Sequence, residues 1–424
     1  MYKYLIAFVL ITPLIGVWMV EGGEYAGSVD VQGYPNGATM AYGLYVVAVV
    51  CIAMLCARAG RRPIELQPPS READALFRRF SAKLLLVEIV FMLLFLFGFG
   101  AINTWLGGIG KGEFRVGLGD FGAFPNAMSK FVIPALLAYC TLLYRRSSRS
   151  GALKLRLSIT FFIAFVTGAS WGFKSTAIAS VAPALLLLYW RVRPLQLVVL
   201  AAAFVGSLML FFWIFDADLG TVTDAQAFLL RRVTVLQGDV AWYIWGLHSS
   251  GASFPSYWPT LLAAMGDKVL SALGISRSDY YEWMLYHYDW MITYLAGASL
   301  EQIAEGGHSI VAQPFAEGLI AGGLGGLVLF TVIAGVLTGR MYTFLDTSMR
   351  KGHDLSAAFG ATYFCYYLLP WLSAGAIVQL FHISLLVSFG STWAMLTLMR
   401  RRWTFGSPLP VAAPPPSPSP PATA

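Results

Sequence analysis

Charge is what this chain has little of. Asp, Glu, Lys and Arg make up 12% of its 424 residues, against 57% hydrophobic ones. A soluble domain carries roughly 25% charge, so an ordinary water-soluble globule is excluded and the chain falls in the membrane class. Cysteine is scarce as well. Cys51, Cys56, Cys140 and Cys365 lie within or at the ends of apolar runs, without metal-ligand spacing and without a disulfide framework. No metal and no cofactor is expected. The apolar runs lack the alternation of a transmembrane barrel strand and have helical length, so helices are the reading. Also missing are an internal repeat and a soluble stretch with its own core. The opening Met1-Tyr2-Lys3-Tyr4 has no strongly basic start, and no Ala-x-Ala-type cleavage site follows. The run from Leu5 to Val20 therefore reads as a retained first helix, not a cleaved signal.

What is present is a succession of stretches near the roughly 20 apolar residues that a spanning helix needs. They are about 4–20, 39–57, 84–106, 127–144, 157–172, 176–190, 195–215, 314–339, 355–373 and 378–399. The expectation is an all-α, polytopic integral membrane protein of about ten transmembrane helices over residues 1–403. The pair 157–172 and 176–190 is short and joined by a tight Gly172-Phe173-Lys174-Ser175 turn, which fits either two spans or a shallow hairpin. Pro370 should kink or end the 355–373 span. The Pro/Ser/Ala-rich tail, 404–424, is expected to be disordered and cytoplasmic.

Orientation follows from charge. With the amino terminus in the cytoplasm, the inner segments collect 21 of the 29 Lys and Arg residues, as the positive-inside rule requires. The net charge of +7 is thus a topology signal, and no nucleic acid is expected as a partner. Eight basic residues are left for the outer side: Lys111, Arg115, Lys130, Lys174, Arg231, Arg232, Lys268 and Arg277.

The longest polar interruption, about 216–313, becomes one large outer loop. From Phe228 to Tyr294 it holds 14 aromatic residues, and it contains His248, His287 and His308. Its stretch from Ala225 to Leu247 suits a helix lying in the membrane interface. Ser249 to Pro259 should be a turn, Thr260 to Leu273 a second helical piece, and Tyr280 to Trp290 is a dense aromatic-acidic run.

The candidate residues each carry two readings. Arg231 and Arg232 offer guanidinium forks matched to phosphate oxygens, or they anchor an interfacial helix at lipid headgroups. Arg115, in a Gly-rich turn from Gly112 to Asp120, either meets a ligand or pairs locally with Asp120. Lys174, at the tip of the short hairpin, is a cation aimed into a cavity or one that snorkels to headgroups. His308, with Glu301, Glu305 and Glu317 around it, is placed as a base for a hydroxyl proton, or the group is a capped helix start with solvated acids. The aromatic run containing Tyr281, with Glu282 and Asp289, makes a sugar-binding surface or an interfacial belt. Glu88 and His382 lie within spans and receive no role.

Four stretches together resemble the Wzy-type polymerases of O-antigen and related oligosaccharide repeat units. They are the many-span layout with one late outer loop, and Phe173-Lys174-Ser175 heading an apolar run that ends Leu187-Leu188-Tyr189-Trp190. Then come Arg231-Arg232 followed by Gln237-Gly238 and an aromatic helix to Trp245, and Gly307-His308 leading into Pro314, Glu317, Gly318 and Gly322-Gly323-Leu324-Gly325-Gly326. The resemblance covers about residues 84–340. It implies a bacterial inner-membrane enzyme, multi-pass with both termini cytoplasmic, which serves lipopolysaccharide or exopolysaccharide biosynthesis. It further implies a metal-independent glycosyltransferase reaction on the periplasmic side, in which a growing glycan leaves undecaprenyl diphosphate for a sugar hydroxyl of the next lipid-linked unit. The implied partners are that lipid-linked oligosaccharide, the bilayer, a flippase and a chain-length regulator. Arg231, Arg232 and His308 then stand as catalytic candidates, with His308 as base assigned from its chemistry. Arg115, Lys174, Glu305, Glu317, Trp245 and Tyr281 stand as substrate contacts. An O-antigen ligase shares layout and chemistry, and a lipid-linked sugar flippase or permease shares the spans; a membrane scaffold is the bland alternative. If one site is built, Arg115, Lys174, Arg232 and His308 should surround one outward-opening pocket with the 280–294 run on its rim.

Overall fold

The computed structural model describes residues 1–27, 29, 31–57, 71–106, 113–114, 117–171, 174–192, 230–254, 256–274 and 313–400, with isolated positions at 196, 202, 206 and 227. Side chains at 71, 120, 174–175, 258–260, 263, 267–268 and 400 are outside that description. The expected span at 195–215, the 280–294 run and the tail therefore lie outside the described residues, apart from the backbone of a few positions.

Among the described residues every regular element is helical. Six helices are long and apolar enough to cross a membrane: Tyr2–Glu21, Ala38–Cys56, Glu72–Gly98, Ala123–Arg146, Gly151–Ala169 and Gln313–Arg350. The chain is a membrane-embedded helical protein. In order, the elements are α1 (Tyr2–Glu21), α2 (Ala38–Cys56), α3 (Arg71–Leu93), α4 (Ala123–Arg146), α5 (Gly151–Ala169) and α6 (Lys174–Leu188). They continue with α7 (Val235–Ser249), α8 (Gln313–Lys351), α9 (Asp354–Tyr363), α10 (Leu369–Ala374) and α11 (Ser384–Arg400).

The sequence periodicity of α1 shows how these helices sit. Tyr2, Ile6, Val9, Leu10, Pro13, Val17 and Val20 are buried, whereas Tyr4, Phe8, Ile11, Ile15 and Trp18 are exposed. Both sets recur every three to four residues, so one face packs on protein and the other is an apolar stripe suited to lipid. Two of the prolines follow widened turns. A π turn at Phe364–Leu368 links α9 to α10 just before Pro370, and another at Met128–Val132 precedes Pro134 within α4. Pro lacks the N–H that would bond back one turn and its ring crowds that carbonyl; the wider π turn accommodates both.

Within the expected interfacial stretch 225–247, α7 is packed against α1, α2 and α8, with Val235, Gly238, Asp239, Val240, Ala241, Trp242 and Ile244 buried. The reason is a glycine contact between distant segments. A Cβ on Gly238 would run into the backbone of Gly16 and Val17, and one on Gly16 would run into Thr234 O. Small residues of this kind let membrane helices approach closely.

The 314–339 span is not one straight helix. α8 breaks at Gly322 and Gly323, where Gly323 has φ 59° and ψ −140°. A Cβ on Gly318 would lie 2.8 Å from Leu327 Cα, yet nine residues of continuous helix extend ~13.5 Å. The chain therefore reverses, and a short arm (313–321) folds back along the first turns of a long arm (324–351). The long arm packs on α2, with Gly335 against Ile52 and Gly339 against Ala53.

The far end of the long arm is held by ion pairs and aromatic packing. Arg350 bonds Asp346 at 2.6 and 3.2 Å, and Arg146 bonds Asp354 at 2.7 Å. Tyr2 sits among Trp190, Tyr342 and Phe364, with ring centroids 5.8, 5.6 and 4.4 Å away. We call this the basic end and the opposite one the loop end.

Candidate functional site

The loop end is built by chain that is not regular helix. The 22–36 connection between α1 and α2 is sewn down from both sides. Glu21, at the end of α1, accepts the backbone N–H groups of Asn36 and Gly37 on Oε1 and of Thr39 on Oε2, at 3.0, 2.5 and 2.9 Å. An acid at this position satisfies the free N–H groups that begin α2. From α7, the Trp242 indole donates to Tyr34 O (2.8 Å) and the Trp245 indole to Asn36 O (3.1 Å), while the Asn36 amide donates to Trp242 O (3.0 Å).

Beside this connection lies a groove of about 550 Å³ lined by Trp18, Met19, Glu21, Gly22, Glu24 and Pro35. Trp18 is 64% exposed and ends the lipid-facing stripe of α1. Next to Glu24, Tyr25 holds Arg231: the guanidinium lies 5.3 Å over the Tyr25 ring and donates to Tyr25 O at 3.2 Å. Arg231 and Arg232 are both exposed, although α7 immediately after them is buried. The arrangement thus sets the Arg231 guanidinium over the Tyr25 ring ahead of a fixed helix, with Arg232 exposed beside it. Aromatic faces and carboxylate acceptors suit polyols, and guanidinium forks suit phosphate.

A second feature sits where helices are interrupted. α10 ends at Gly375, the chain turns through Ala376 (φ 66°, ψ 68°) and continues as a 3₁₀ turn, Ile377–Phe381. An alanine with positive φ is strained. Glu317, on the short arm of α8, faces this turn and is fully buried. Its Oε1 accepts Tyr257 Oη–H (2.5 Å) and Ile377 N–H (2.7 Å), and its Oε2 accepts Trp371 Nε1–H (2.9 Å). The carboxylate therefore ties α10, the 3₁₀ turn and the 250–266 loop to the short arm. Two histidines flank the interruptions. The His248 ring lies against Gly323, and the His382 ring against Gly266; His382 Nδ1 accepts Ser384 N–H at 3.1 Å.

Of the residues singled out from sequence, Arg231 and Arg232 lie exposed at the loop end. Trp245 is half-buried there, between the 22–36 connection and Phe315, whose ring centroid is 6.1 Å away. Glu317 is enclosed, with both oxygens engaged by protein groups. Lys174 opens α6, but its side chain lies outside the described residues, as do Arg115, Tyr281, Glu305 and His308 entirely. The arrangement expected for Arg115, Lys174, Arg232 and His308 thus extends beyond what is described. Among the described residues no three His, Cys, Asp or Glu side chains are grouped to hold a metal ion. Tyr257, Trp371 and the Ile377 amide were not legible as a set, because nothing in residue spacing links positions 54 to 60 apart. Glu88 is buried in α3, and among the described residues neither of its oxygens has a hydrogen-bond partner.

No protein-family model, no curated protein and no solved structure matches this chain.

Proposed function

We propose that this chain is a polymerase of undecaprenyl-diphosphate-linked oligosaccharide repeat units. In this reading it crosses a bacterial inner membrane about ten times and works at the loop end, which faces the periplasm with the large 216–313 loop. The observation that carries the proposal is the juxtaposition at that end: the exposed Arg231–Arg232 pair, a groove with an aromatic face and a carboxylate, and the end of a lipid-facing stripe. A lipid-linked glycan needs all three kinds of contact, for its diphosphate, its sugars and its prenyl chain.

The reaction balances simply. The bond between the glycan's anomeric carbon and the carrier diphosphate breaks, and its electron pair leaves with the diphosphate. A hydroxyl oxygen of the next lipid-linked unit forms the new glycosidic bond and gives its proton to a base, for which His308 is the candidate. Arg231 and Arg232 face the charge that grows on the leaving diphosphate; preorganised donors of this kind are commonly the largest catalytic contribution. Arg115 and Lys174 supply further cations, and Glu305 and Tyr281 sugar contacts. Glu317 moves in this reading from substrate contact to positioning residue, since its oxygens are engaged within the protein.

A lipid-linked sugar permease is favoured by one observation, the interrupted helices around buried Glu317, because transporters often build sites on broken helices. An O-antigen ligase shares the donor chemistry. One experiment separates the three: the purified protein in proteoliposomes is supplied with undecaprenyl-diphosphate-linked repeat units. A polymer ladder with matching release of undecaprenyl diphosphate is the expected result. Movement of intact units across the bilayer without a ladder would make it a permease, and transfer only to added lipid A core would make it a ligase.

A further inference from the structure

At the basic end a cavity of about 410 Å³ opens between the start of α1, the segment after α6 and the long arm of α8. Its lining is Met1, Tyr2, Lys3, Tyr4, Trp190, Arg191, Val192 and Tyr342. The floor is aromatic: Trp190 stacks on Tyr342 with centroids 5.5 Å apart and planes 16° apart, and Tyr2 packs against both. The rim is cationic, with Lys3 Nζ 5.6 Å from the Tyr342 ring centroid and Arg191 exposed. Among the described residues no carboxylate lines the cavity. Asp346, one turn beyond Tyr342, is held by Arg350. Lys3 and Arg191 thus face a half-open cavity with no acid among its described lining residues.

The cavity also has a direction. Tyr4 belongs both to its lining and to the exposed stripe Tyr4, Phe8, Ile11, Ile15 on α1. From Tyr4 to Ile15 the helix rises ~16 Å, about the reach of a phospholipid acyl chain across one leaflet, half of a hydrocarbon core roughly 30 Å thick. A soluble anion needs only the cations, whereas a lipid needs the stripe as well.

We propose that this cavity binds the headgroup of an anionic glycerophospholipid, its phosphate between Lys3 and Arg191 and its acyl chains along the α1 stripe. Basic pockets between membrane helices take such headgroups, and the site is independent of the glycan chemistry at the other end.

The test uses the full chain in detergent, stripped of lipid, with phosphatidylglycerol or phosphatidylcholine added back. Native mass spectrometry reads the bound lipid, and thermal unfolding reads the stabilisation that binding brings. The protein should retain phosphatidylglycerol over phosphatidylcholine and should be stabilised by the former alone. The double variant Lys3→Gln/Arg191→Gln should bind phosphatidylglycerol roughly thirty-fold more weakly, from about a five-fold loss per cation. Lys3→Arg should keep the affinity, and Lys154→Gln, an exposed charge on α5 away from the cavity lining, should leave it unchanged. Millimolar inorganic phosphate should not displace the lipid. Equal retention of the two lipids by the unmodified protein would overturn the proposal without recourse to any variant. So would unchanged affinity in a folded double variant. Displacement by inorganic phosphate would make the site one for a soluble anion.

Discussion

The two ends of the bundle solve the same problem differently. At the basic end helices run to completion and are closed by side chains near one another in sequence or space: Arg350 on Asp346, Arg146 on Asp354, Trp190 on Tyr342. At the loop end helices give way to irregular connections, and the backbone groups left there are taken up by carboxylates. Glu21 takes up the start of α2, and Glu317 takes up Ile377. In a membrane every backbone polar group must find a partner inside the protein. Irregular chain there is therefore expensive and persists where it lines a site. That contrast, and not the number of spans, directs attention to the loop end.

The sharpest way to break the contrast is to remove the acceptor that holds the interrupted helices. Glu317→Ala leaves the Tyr257 hydroxyl, the Trp371 indole and the Ile377 amide without their partner, and each such buried donor costs about 1–3 kcal/mol. Thermal unfolding in detergent should show a loss of about 3 kcal/mol or more. Glu317→Gln, which keeps one acceptor oxygen, should lose about half as much.

A smaller effect is expected at the crossing of α1 and α7. Gly238→Val pushes side-chain atoms into the backbone of Gly16 and Val17, and overpacking costs about 1–3 kcal/mol. Because α7 carries the indoles that pin the 22–36 connection, proteolysis of that connection should accelerate in the variant. An unchanged cleavage rate would separate α7 from the connection.

At the basic end the corresponding change should matter less. Asp346→Asn removes the charge from a pair within one helix whose carboxylate is buried; because Asn keeps an acceptor for Arg350, the loss should be about 1 kcal/mol, and the loop end's proteolysis pattern should stay as it is. The smallest effect is expected at Ala376. Ala376→Gly relieves about 1–2 kcal/mol of left-handed backbone strain, but it gives back about 0.5–1 kcal/mol in chain entropy and about 0.8 kcal/mol from the lost buried methyl. A change of less than about 0.5 kcal/mol is expected in the same unfolding measurement.

The sequence foretells one end better than the other, for the same physical reason. Span limits such as 4–20 and 39–57 fall within a few residues of Tyr2–Glu21 and Ala38–Cys56, because bilayer thickness sets the length of an apolar run. Hydropathy runs unbroken through Gly322 and Gly323, so the reversal of α8 leaves no mark in it. The burial of α7 depends on Gly16, more than 200 residues away, and neither glycine signals the other by spacing. The guanidinium pair was legible because exposed arginines outside the basic loops are few. The hold of Tyr25 on Arg231 was not, since it joins two connections that local pattern does not relate.

The central claim is that the loop end does the chemistry, and one assay addresses it most directly. Polymer formed from undecaprenyl-diphosphate-linked repeat units is measured in proteoliposomes holding equal amounts of three folded proteins: unmodified, Arg231→Ala/Arg232→Ala, and Lys154→Gln at the basic end. Polymer is expected from the first and third, none from the second, and partial recovery with Arg231→Lys/Arg232→Lys, because an ammonium lacks the guanidinium fork. Unmodified-level polymer from the double alanine variant would contradict it.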